Sequence, residues 1–173
     1  NLGVKAQALC AFLLMLVYWL AMQWFPVPGV GAGSYVKGAN FSAWVDNLLL
    51  HGHLWSQTET WDPEGVFSTL PAISTTLFGV LTGHLIRHDM PGTRKVAVMI
   101  AGGSLAIVIG AGWHHWLPIN KNLWTSSYAL FMSGIAMVVL GVCYYLVDVR
   151  CWRKGTKPFC VYGMNAITVF VLS

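Results

Sequence analysis

Carboxylates, imidazoles, amides and indoles gather in two short stretches of this sequence, 51–64 and 113–124. The first stretch holds His51, His53, Trp55, Glu59, Trp61, Asp62 and Glu64, and the second holds Trp113, His114, His115, Trp116, Asn120, Lys121, Asn122 and Trp124. A sugar needs apolar ring faces to stack on and polar groups that fix its hydroxyls. The two stretches together therefore indicate carbohydrate binding.

The histidines do not form a metal-ligand pattern. His51 and His53 point to opposite faces of an extended chain, and on a helix His114 and His115 diverge by about 100°. We therefore predict no metal site. Imidazole changes its charge nearest neutral pH, so each histidine is a candidate acid or base. A structural role at a membrane interface is the plainer interpretation for each one.

Segment 61–71, WDPEGVFSTLP, has both a structural and a binding interpretation. Pro63 and Gly65 are typical of a turn before a helix, and negative charge from Asp62 and Glu64 suits a helix N-terminus. The same two carboxylates could bind a protonated amino sugar.

Segment 117–130, LPINKNLWTSSYAL, combines a tight turn with a hydroxyl-rich helix start. Its hydroxyls can cap the backbone or face a polar interior. Together with the preceding His114 and one asparagine near the end of the chain, this segment supplies the candidate substrate-contacting residues His114, Asn120, Lys121, Asn122, Trp124, Ser126 and Asn165.

Composition sets these residues in a membrane. Hydrophobic residues make up 56% of the 173 positions and charged residues 9%, against about 25% charged in soluble domains. The net charge of +4 comes from clusters between apolar stretches and forms no basic, aromatic-interleaved stripe, so nucleic acid is not an expected partner. The four cysteines lack metal-ligand spacing and are interpreted as small hydrophobes.

A spanning helix needs about 20 apolar residues, and continuously apolar stretches are helices because open sheets leave backbone groups unpaired in lipid. We predict an all-α, polytopic membrane helix bundle in a single domain, with a long outer loop at 26–68. Its four full spans and truncated fifth are predicted at 8–25, 69–86, 96–117, 123–147 and 159–173. Glycines at 79 and 83, and at 102, 103, 110 and 112, predict close packing between helices.

Basic residues flank the spans unevenly. Eight of the ten lysines and arginines fall on one predicted side, and only Lys37 and Lys121 fall on the other. The positive-inside rule places the eight in the cytoplasm, together with the N-terminus of the chain. Lys121 breaks this rule, and a charge that does so is a candidate functional residue.

Three stretches resemble the heparan-alpha-glucosaminide N-acetyltransferase family and its bacterial relatives, in this order and spacing. They are DPEGVFSTLPAISTTLFGVLTG, LPINKNLWTSSYAL and VDVRCWRKGTKPFCVYGMNAITVFV. Bulk hydrophobicity does not supply their prolines, glycines, asparagines and tryptophans at fixed places. The resemblance covers about 62–171.

The resemblance implies that acetyl-CoA is used from the cytoplasmic side and that its acetyl group reaches a glucosamine-type amine on the outer face. The resemblance suggests that Arg87, Arg94 and Lys95 could attract the phosphates of CoA. The alternative is that these residues only set the orientation of the chain by the positive-inside rule. The family's catalytic histidine belongs to an N-terminal region that this sequence does not match, so no catalytic residue is assigned here. We expect the chain to be the C-terminal part of a longer protein. Its expected partners are the missing N-terminal spans, the lipid bilayer and an amino sugar or glycan, and homo-oligomers stay open.

Two other functions stay open. Bacterial relatives are also named as N-acetylglucosamine-related transporters, so an inner-membrane carrier for an amino sugar is the alternative, with the bacterial inner membrane as the expected location. A membrane scaffold that binds glycan or a partner protein through its outer loop is the third.

Overall fold

The computed structural model describes residues 3–54, 61–62 and 65–172, and it is built almost entirely from helices. In chain order, the elements are α1 (Val4–Trp24), β1 (Tyr35–Val36), β2 (Ala39–Asn40), α2 (Phe41–Leu49), α3 (Thr69–Arg87), α4 (Gly92–Trp113), α5 (Ser126–Tyr144), α6 (Lys157–Met164) and α7 (Ala166–Leu172). A π-helical turn, Tyr145–Val149, extends α5.

Four of these helices are long and apolar enough to cross a membrane: α1, α3, α4 and α5 with its π-helical turn. Each carries exposed apolar side chains, such as Phe12 on α1 and Val108 on α4. That surface suits lipid, which satisfies no backbone polar group and therefore favours complete helices. The predicted all-α, polytopic membrane bundle is confirmed.

The helices α4 and α5 form an antiparallel hairpin packed through glycine. A Cβ atom placed on Gly134 would lie 2.7 Å from the carbonyl oxygen of Gly103, and one on Gly110 would lie 2.8 Å from the amide nitrogen of Phe131. Backbones that approach so closely leave no room for a side chain. Two of the glycines expected to pack helices together, Gly103 and Gly110, do so.

Hydrogen bonds from hydroxyl groups join α1 to α3 and α5. Ser74 on α3 donates to the carbonyl of Ala11 at 3.0 Å, and Ser126 on α5 donates to the carbonyl of Met15 at 2.8 Å. Both serines are fully buried. The pairings make α1 antiparallel to α3 and to α5, because Tyr18, farther along α1, contacts Phe67 before α3 and Leu123 before α5.

The antiparallel order brings the polar loops to one end of the bundle. Residues 25–54, 61–62 and 65–68 meet the 114–125 turn there, and we call this region the loop end. The opposite end, called the basic end, holds the α3–α4 turn and the segment after α5. There Gly92 packs directly against Val149, where a Cβ atom would come within 2.9 Å of the valine side chain.

Helix boundaries differ from the predicted ones mainly around the α4–α5 turn. The span predicted at 96–117 ends at Trp113 and begins four residues earlier, at Gly92. The ring nitrogen Nδ1 of His114 accepts a hydrogen bond from the backbone amide of Ile119 at 3.0 Å, so the chain after Trp113 is already turning.

The truncated fifth span is helical but broken. The helix α6 ends at Met164, and its C-cap Asn165 separates it from α7. The amide of Asn165 donates to the carbonyl of Val161 at 2.8 Å. The side chains that the structure describes on both helices are exposed, so whether this segment crosses a membrane stays a prediction.

Candidate functional site at the loop end

An aromatic cluster forms the base of the loop end. Tyr18 stacks on Phe67 with ring centroids 5.1 Å apart, and Phe67 meets Phe41 edge to face at 4.9 Å. The hydroxyl of Tyr18 donates to the carbonyl of Leu123 at 2.7 Å, which satisfies its polar group in a fully buried position. This cluster connects α1, α2, the start of α3 and the turn before α5.

The first part of the long loop between α1 and α3 is ordered by a small hairpin and a capped helix. The strands β1 and β2 pair antiparallel, with Tyr35 opposite Asn40. Asn40 then caps α2, since its side-chain oxygen accepts a hydrogen bond from the amide of Ala43 at 3.0 Å. The sequence analysis did not predict α2, although an asparagine before an amphipathic stretch is a helix start signal.

Tyr35 fastens this hairpin to the bundle. Its hydroxyl donates to the side-chain oxygen of Gln23 at 2.5 Å and lies 3.3 Å from the carbonyl oxygen of Trp116. Burial raises the pKa of the Tyr35 phenol above its usual value. The phenol therefore stays protonated, in the form that can donate the hydrogen bond to Gln23.

Asp46 on α2 is a buried carboxylate that sequence reasoning missed. It is 1% exposed and accepts a hydrogen bond from the amide of Val66 at 2.9 Å, and the amides of Phe67 and Asp62 also donate to it. Burial raises the pKa of the carboxyl, while these backbone bonds act in the opposite direction. The arrangement ties α2 to the start of α3.

Gly65 is required beside this carboxylate. A Cβ atom at Gly65 would lie 2.1 Å from an oxygen of Asp46, so no other residue type fits without displacing the carboxylate. The glycine was predicted to form a turn, and its amide does donate to the carbonyl of Asp62 at 3.2 Å. The structure adds the close contact as a second reason for glycine here.

Asp62, a predicted substrate contact, lies beside Asp46 in this same turn. Its backbone amide serves Asp46, and its negative charge contributes to the raised pKa of the Asp46 carboxyl. The other predicted carboxylate, Glu64, lies outside the described residues, as do Trp55 and Glu59.

The 118–125 turn holds most of the remaining predicted contacts. The amide of Asn122 donates to the side-chain oxygen of Asn120 at 2.9 Å, and the amide of Trp124 donates to the carbonyl of Lys121 at 3.2 Å. The side chain of Lys121 is exposed, and among the described residues its ammonium has no recorded partner. The turn thus presents Lys121 at its apex, next to the two asparagines.

Four consecutive residues, 123–126, connect the end of this turn to the rest of the bundle. The carbonyl of Leu123 accepts from Tyr18, the indole nitrogen of Trp124 donates to Thr75 of α3 at 3.4 Å, Thr125 bonds back to the turn, and Ser126 bonds to α1. Trp124 has a φ of 48°, a left-handed conformation that is uncommon for a residue with a side chain.

Not all predicted contacts share this end. Ser126 is 0% exposed and its hydroxyl is committed to α1. His114 is exposed and, through Nδ1, shapes the turn after α4, so its neutral ring carries the proton on Nε2. Asn165 lies in the α6–α7 break, which follows α5 in the chain. The structure brings together Asp62, His114, Asn120, Lys121, Asn122 and Trp124 at the loop end.

The predicted cofactor contacts lie at the basic end. Arg87 ends α3, and Arg94 lies in the first turn of α4; both are exposed. The ammonium of Lys95 donates to the carbonyl of Ile86 at 2.7 Å and so completes the C-terminus of α3. Two of the three cations are therefore available to an anion, and the third already holds the α3–α4 turn.

The described residues contain no group of three histidine, cysteine, aspartate or glutamate side chains arranged to hold a metal ion. The loop end offers amides, hydroxyls, an ammonium, a carboxylate and indole rings. These groups can bind polar ligands through hydrogen bonds and stacking.

Fold and site together define an all-α polytopic membrane protein with one polar and one basic end. The chain is similar to heparan-alpha-glucosaminide N-acetyltransferase from Mus musculus, with 31% identity over 88% of this chain and 28% of that protein. It is 30% identical to the protein of the same name from Homo sapiens, over 92% of this chain and 29% of that protein.

The resemblance predicted from three sequence stretches is thus confirmed. The chain spans less than a third of the length of these curated relatives. No protein-family model matches the sequence.

Proposed function

We propose that this chain forms part of a transmembrane acetyltransferase, which moves the acetyl group of acetyl-CoA to the amine of a glucosamine-type sugar. The observation that carries the proposal is the 30–31% identity to two heparan-alpha-glucosaminide N-acetyltransferases along 88–92% of this chain. The activity belongs to the whole protein, of which this chain supplies the loop end and the basic end.

The loop end suits the acceptor sugar. Asn120 and Asn122 offer amides that can both donate and accept, Lys121 offers a donor, and Trp124 offers a partly exposed ring face beside Tyr128. Amides and an aromatic face are the groups that bind sugar hydroxyls and ring carbons. Asp62 adds a negative charge that attracts a protonated amino sugar.

The basic end suits the acetyl donor. CoA carries phosphate groups, and arginine binds phosphate through paired N–H donors. Arg87 and Arg94 are the exposed candidates. Lys95 contributes indirectly, because it holds the α3–α4 turn that precedes Arg94. The proposal places the basic end in the cytoplasm and the loop end on the outer face, in accord with the positive-inside rule.

In the reaction, the sugar nitrogen attacks the thioester carbonyl, the C–N bond forms, the C–S bond breaks, and CoA leaves as the thiol with the proton lost by the amine. A base must accept that proton, and the negatively charged oxygen of the tetrahedral intermediate must be stabilised. The proposal assigns no base to this chain. Donors such as the amides of Asn120 and Asn122 fit the oxyanion role by chemical type.

The test uses the full-length protein, purified in detergent with acetyl-CoA and glucosamine, and measures release of the CoA thiol. Thiol release that needs glucosamine and is absent with N-acetylglucosamine, whose amine is blocked, is the expected result. No thiol release with any amino sugar would overturn the proposal. Uptake of labelled N-acetylglucosamine into proteoliposomes without acetyl-CoA would favour the transporter instead.

Within that assay, Arg94→Gln is expected to raise the KM for acetyl-CoA about tenfold or more, since one charge-assisted bond contributes about 1.5–3 kcal/mol and every 1.4 kcal/mol is about a factor of ten. The matched substitution Lys37→Gln changes a lysine at the loop end, which lies over the ring of Trp61 with its nitrogen 5.8 Å from the ring centroid. It should leave the KM for acetyl-CoA unchanged. Equal effects of the two would contradict the assignment of the basic end to the donor.

A further inference from the structure

The hydroxyl of Thr125 occupies a central place in the turn that carries the predicted sugar contacts. Thr125 is 0% exposed, and it caps α5 by accepting a hydrogen bond from the amide of Tyr128 at 3.4 Å. The same oxygen accepts from the amide of Asn120 at 3.1 Å and donates to the carbonyl of Pro118 at 2.9 Å. One hydroxyl therefore joins the first turn of α5 to the preceding loop.

These three bonds use the whole capacity of the group. A hydroxyl has one hydrogen to donate and two lone pairs to accept with. The hydrogen goes to Pro118 and the lone pairs face the amides of Asn120 and Tyr128, while the hydroxyl of Ser127 also lies 3.2 Å away. A valine has the same shape but makes none of the three bonds.

We propose that Thr125 is a positioning residue, which fixes the side chains of Asn120, Lys121 and Asn122 for binding of the acceptor sugar. This inference rests on the proposed function. Thr125 does not reach the sugar, because it is fully buried beneath the turn. It acts through the backbone of Asn120, whose own side chain then orders Asn122.

Other bonds limit what the loss of this hydroxyl does. The amide of Thr125 still donates to the carbonyl of Asn120, and the amide of Ile119 still donates to His114. Ser126 still ties α5 to α1, and Tyr18 still holds Leu123. The turn should therefore loosen while the bundle stays folded.

The left-handed backbone at Trp124 makes the turn sensitive to this loosening. Its φ of 48° is unfavourable for a residue with a Cβ atom and persists only where surrounding contacts hold it. The bonds of Thr125 hold the chain on one side of Trp124, and those of Leu123 hold it on the other. Without the hydroxyl, Trp124 is free to relax toward an ordinary conformation and to move the lysine and the asparagines with it.

The experiment measures acetyl transfer by full-length wild type, Thr125→Val, Thr125→Ser and Ser74→Ala. We expect Thr125→Val to raise the KM for glucosamine roughly tenfold, the change that follows from about 1.4 kcal/mol of lost binding, with the KM for acetyl-CoA within about twofold of wild type. Thr125→Ser keeps the hydroxyl and should restore the wild-type KM. Ser74→Ala removes an equally buried hydroxyl that bonds to α1, away from the turn, and should leave both KM values unchanged.

The outcomes separate this inference from the proposed function. A wild-type protein that transfers no acetyl group overturns the proposed function and the positioning role with it. An active wild type whose Thr125→Val variant keeps the wild-type KM for glucosamine, or matches Ser74→Ala, overturns the positioning role alone.

Hydrogen exchange in the wild-type protein tests the hydrogen bonds of the Thr125 hydroxyl even if Thr125→Val does not fold. The amide of Asn120 points at a buried hydroxyl and should exchange slowly, like that of Tyr128 in the first turn of α5. An Asn120 amide that exchanges as fast as an unprotected one overturns the inference.

Discussion

Two interfaces of the bundle hold helices together by different means. Between α4 and α5, glycines bring the backbones into direct contact, as at Gly103 and Gly134. Between α1 and its neighbours α3 and α5, side-chain hydroxyls donate to carbonyl oxygens of α1, as from Ser74 and Ser126. We refer to these as the glycine interface and the hydroxyl interface.

The difference follows from what each interface adjoins. In lipid, apolar surface gains little by burial, so helices associate through close packing and hydrogen bonds. The hydroxyl interface lies beside the loop end, where Tyr18 and Thr125 continue the same pattern of hydroxyl onto backbone. Directional bonds fix rotation and register there, as a binding site requires, whereas the glycine interface needs close contact alone.

The largest expected effect comes from filling the glycine interface. Gly134→Ala would place a Cβ atom 2.7 Å from the carbonyl oxygen of Gly103 and 2.8 Å from the amide nitrogen of Ile107, and neither backbone atom can move cheaply. We expect a loss of about 3 kcal/mol, at the upper end of overpacking, measured by unfolding in detergent and SDS mixtures.

The matched control for this change is Gly79→Ala on α3. Within the described residues, a Cβ atom at Gly79 meets nothing within 4 Å. The substitution should be neutral or slightly stabilising, since alanine is the better helix former. If Gly79→Ala destabilises the full-length protein as much as Gly134→Ala, both glycines pack against a helix and the contrast between them is wrong.

These two glycines also mark a limit of sequence reasoning. Gly79 and Gly83 form a GxxxG pair, the more recognisable packing signal, yet in the described structure both positions are open. Gly134 and Gly141 were not singled out and lie against α4. Which small residues pack depends on how the helices are rotated and paired, and periodicity in one segment does not contain that information.

The four membrane-spanning helices were predictable, because a long run of apolar residues can satisfy its backbone groups in lipid only as a helix. All four predicted spans match a helix that is long and apolar enough to cross a membrane. The ends were less predictable at residues 114–117, where apolar and aromatic side chains continue past the last helical hydrogen bonds. Asp46 escaped prediction because its role depends on contact with a segment 20 residues away.

The next largest effect is expected at Asp46, whose carboxylate accepts hydrogen bonds from backbone N–H groups at the loop end. Asp46→Ala removes the acceptor of the Val66 amide and of two further amides before α3. We expect a loss of about 2 kcal/mol, the usual contribution of hydrogen bonds to a charged group together with the cost of unpaired donors. Thermal unfolding of the purified protein measures it.

Asn47→Ala, next to Asp46 on α2, serves as the comparison. Its side-chain amide donates to the carbonyl of Ala43 within the same helix, so it does not join α2 to α3 through that bond. A smaller loss is expected than for Asp46→Ala. Equal losses would mean that the helix α2 itself, and not its bond to the start of α3, determines the stability of the loop end.

The smallest expected effect tests the hydroxyl interface. Ser126→Ala removes the bond to the carbonyl of Met15, and Ser74→Ala removes the bond to the carbonyl of Ala11. Hydrogen bonds between membrane helices contribute about 0.6 kcal/mol on average, so each substitution should cost about that much in unfolding free energy. The double variant is expected to lose about the sum, because the two bonds join α1 to different helices.

A loss above about 2 kcal/mol for either single variant would exceed what such bonds contribute and would remove the energetic contrast with the glycine interface. A combined loss well below the sum would mean that α1 moves away from both neighbours once either bond is broken. In that case the hydroxyl interface behaves as one unit, and its two serines set the position of α1 together, not separately.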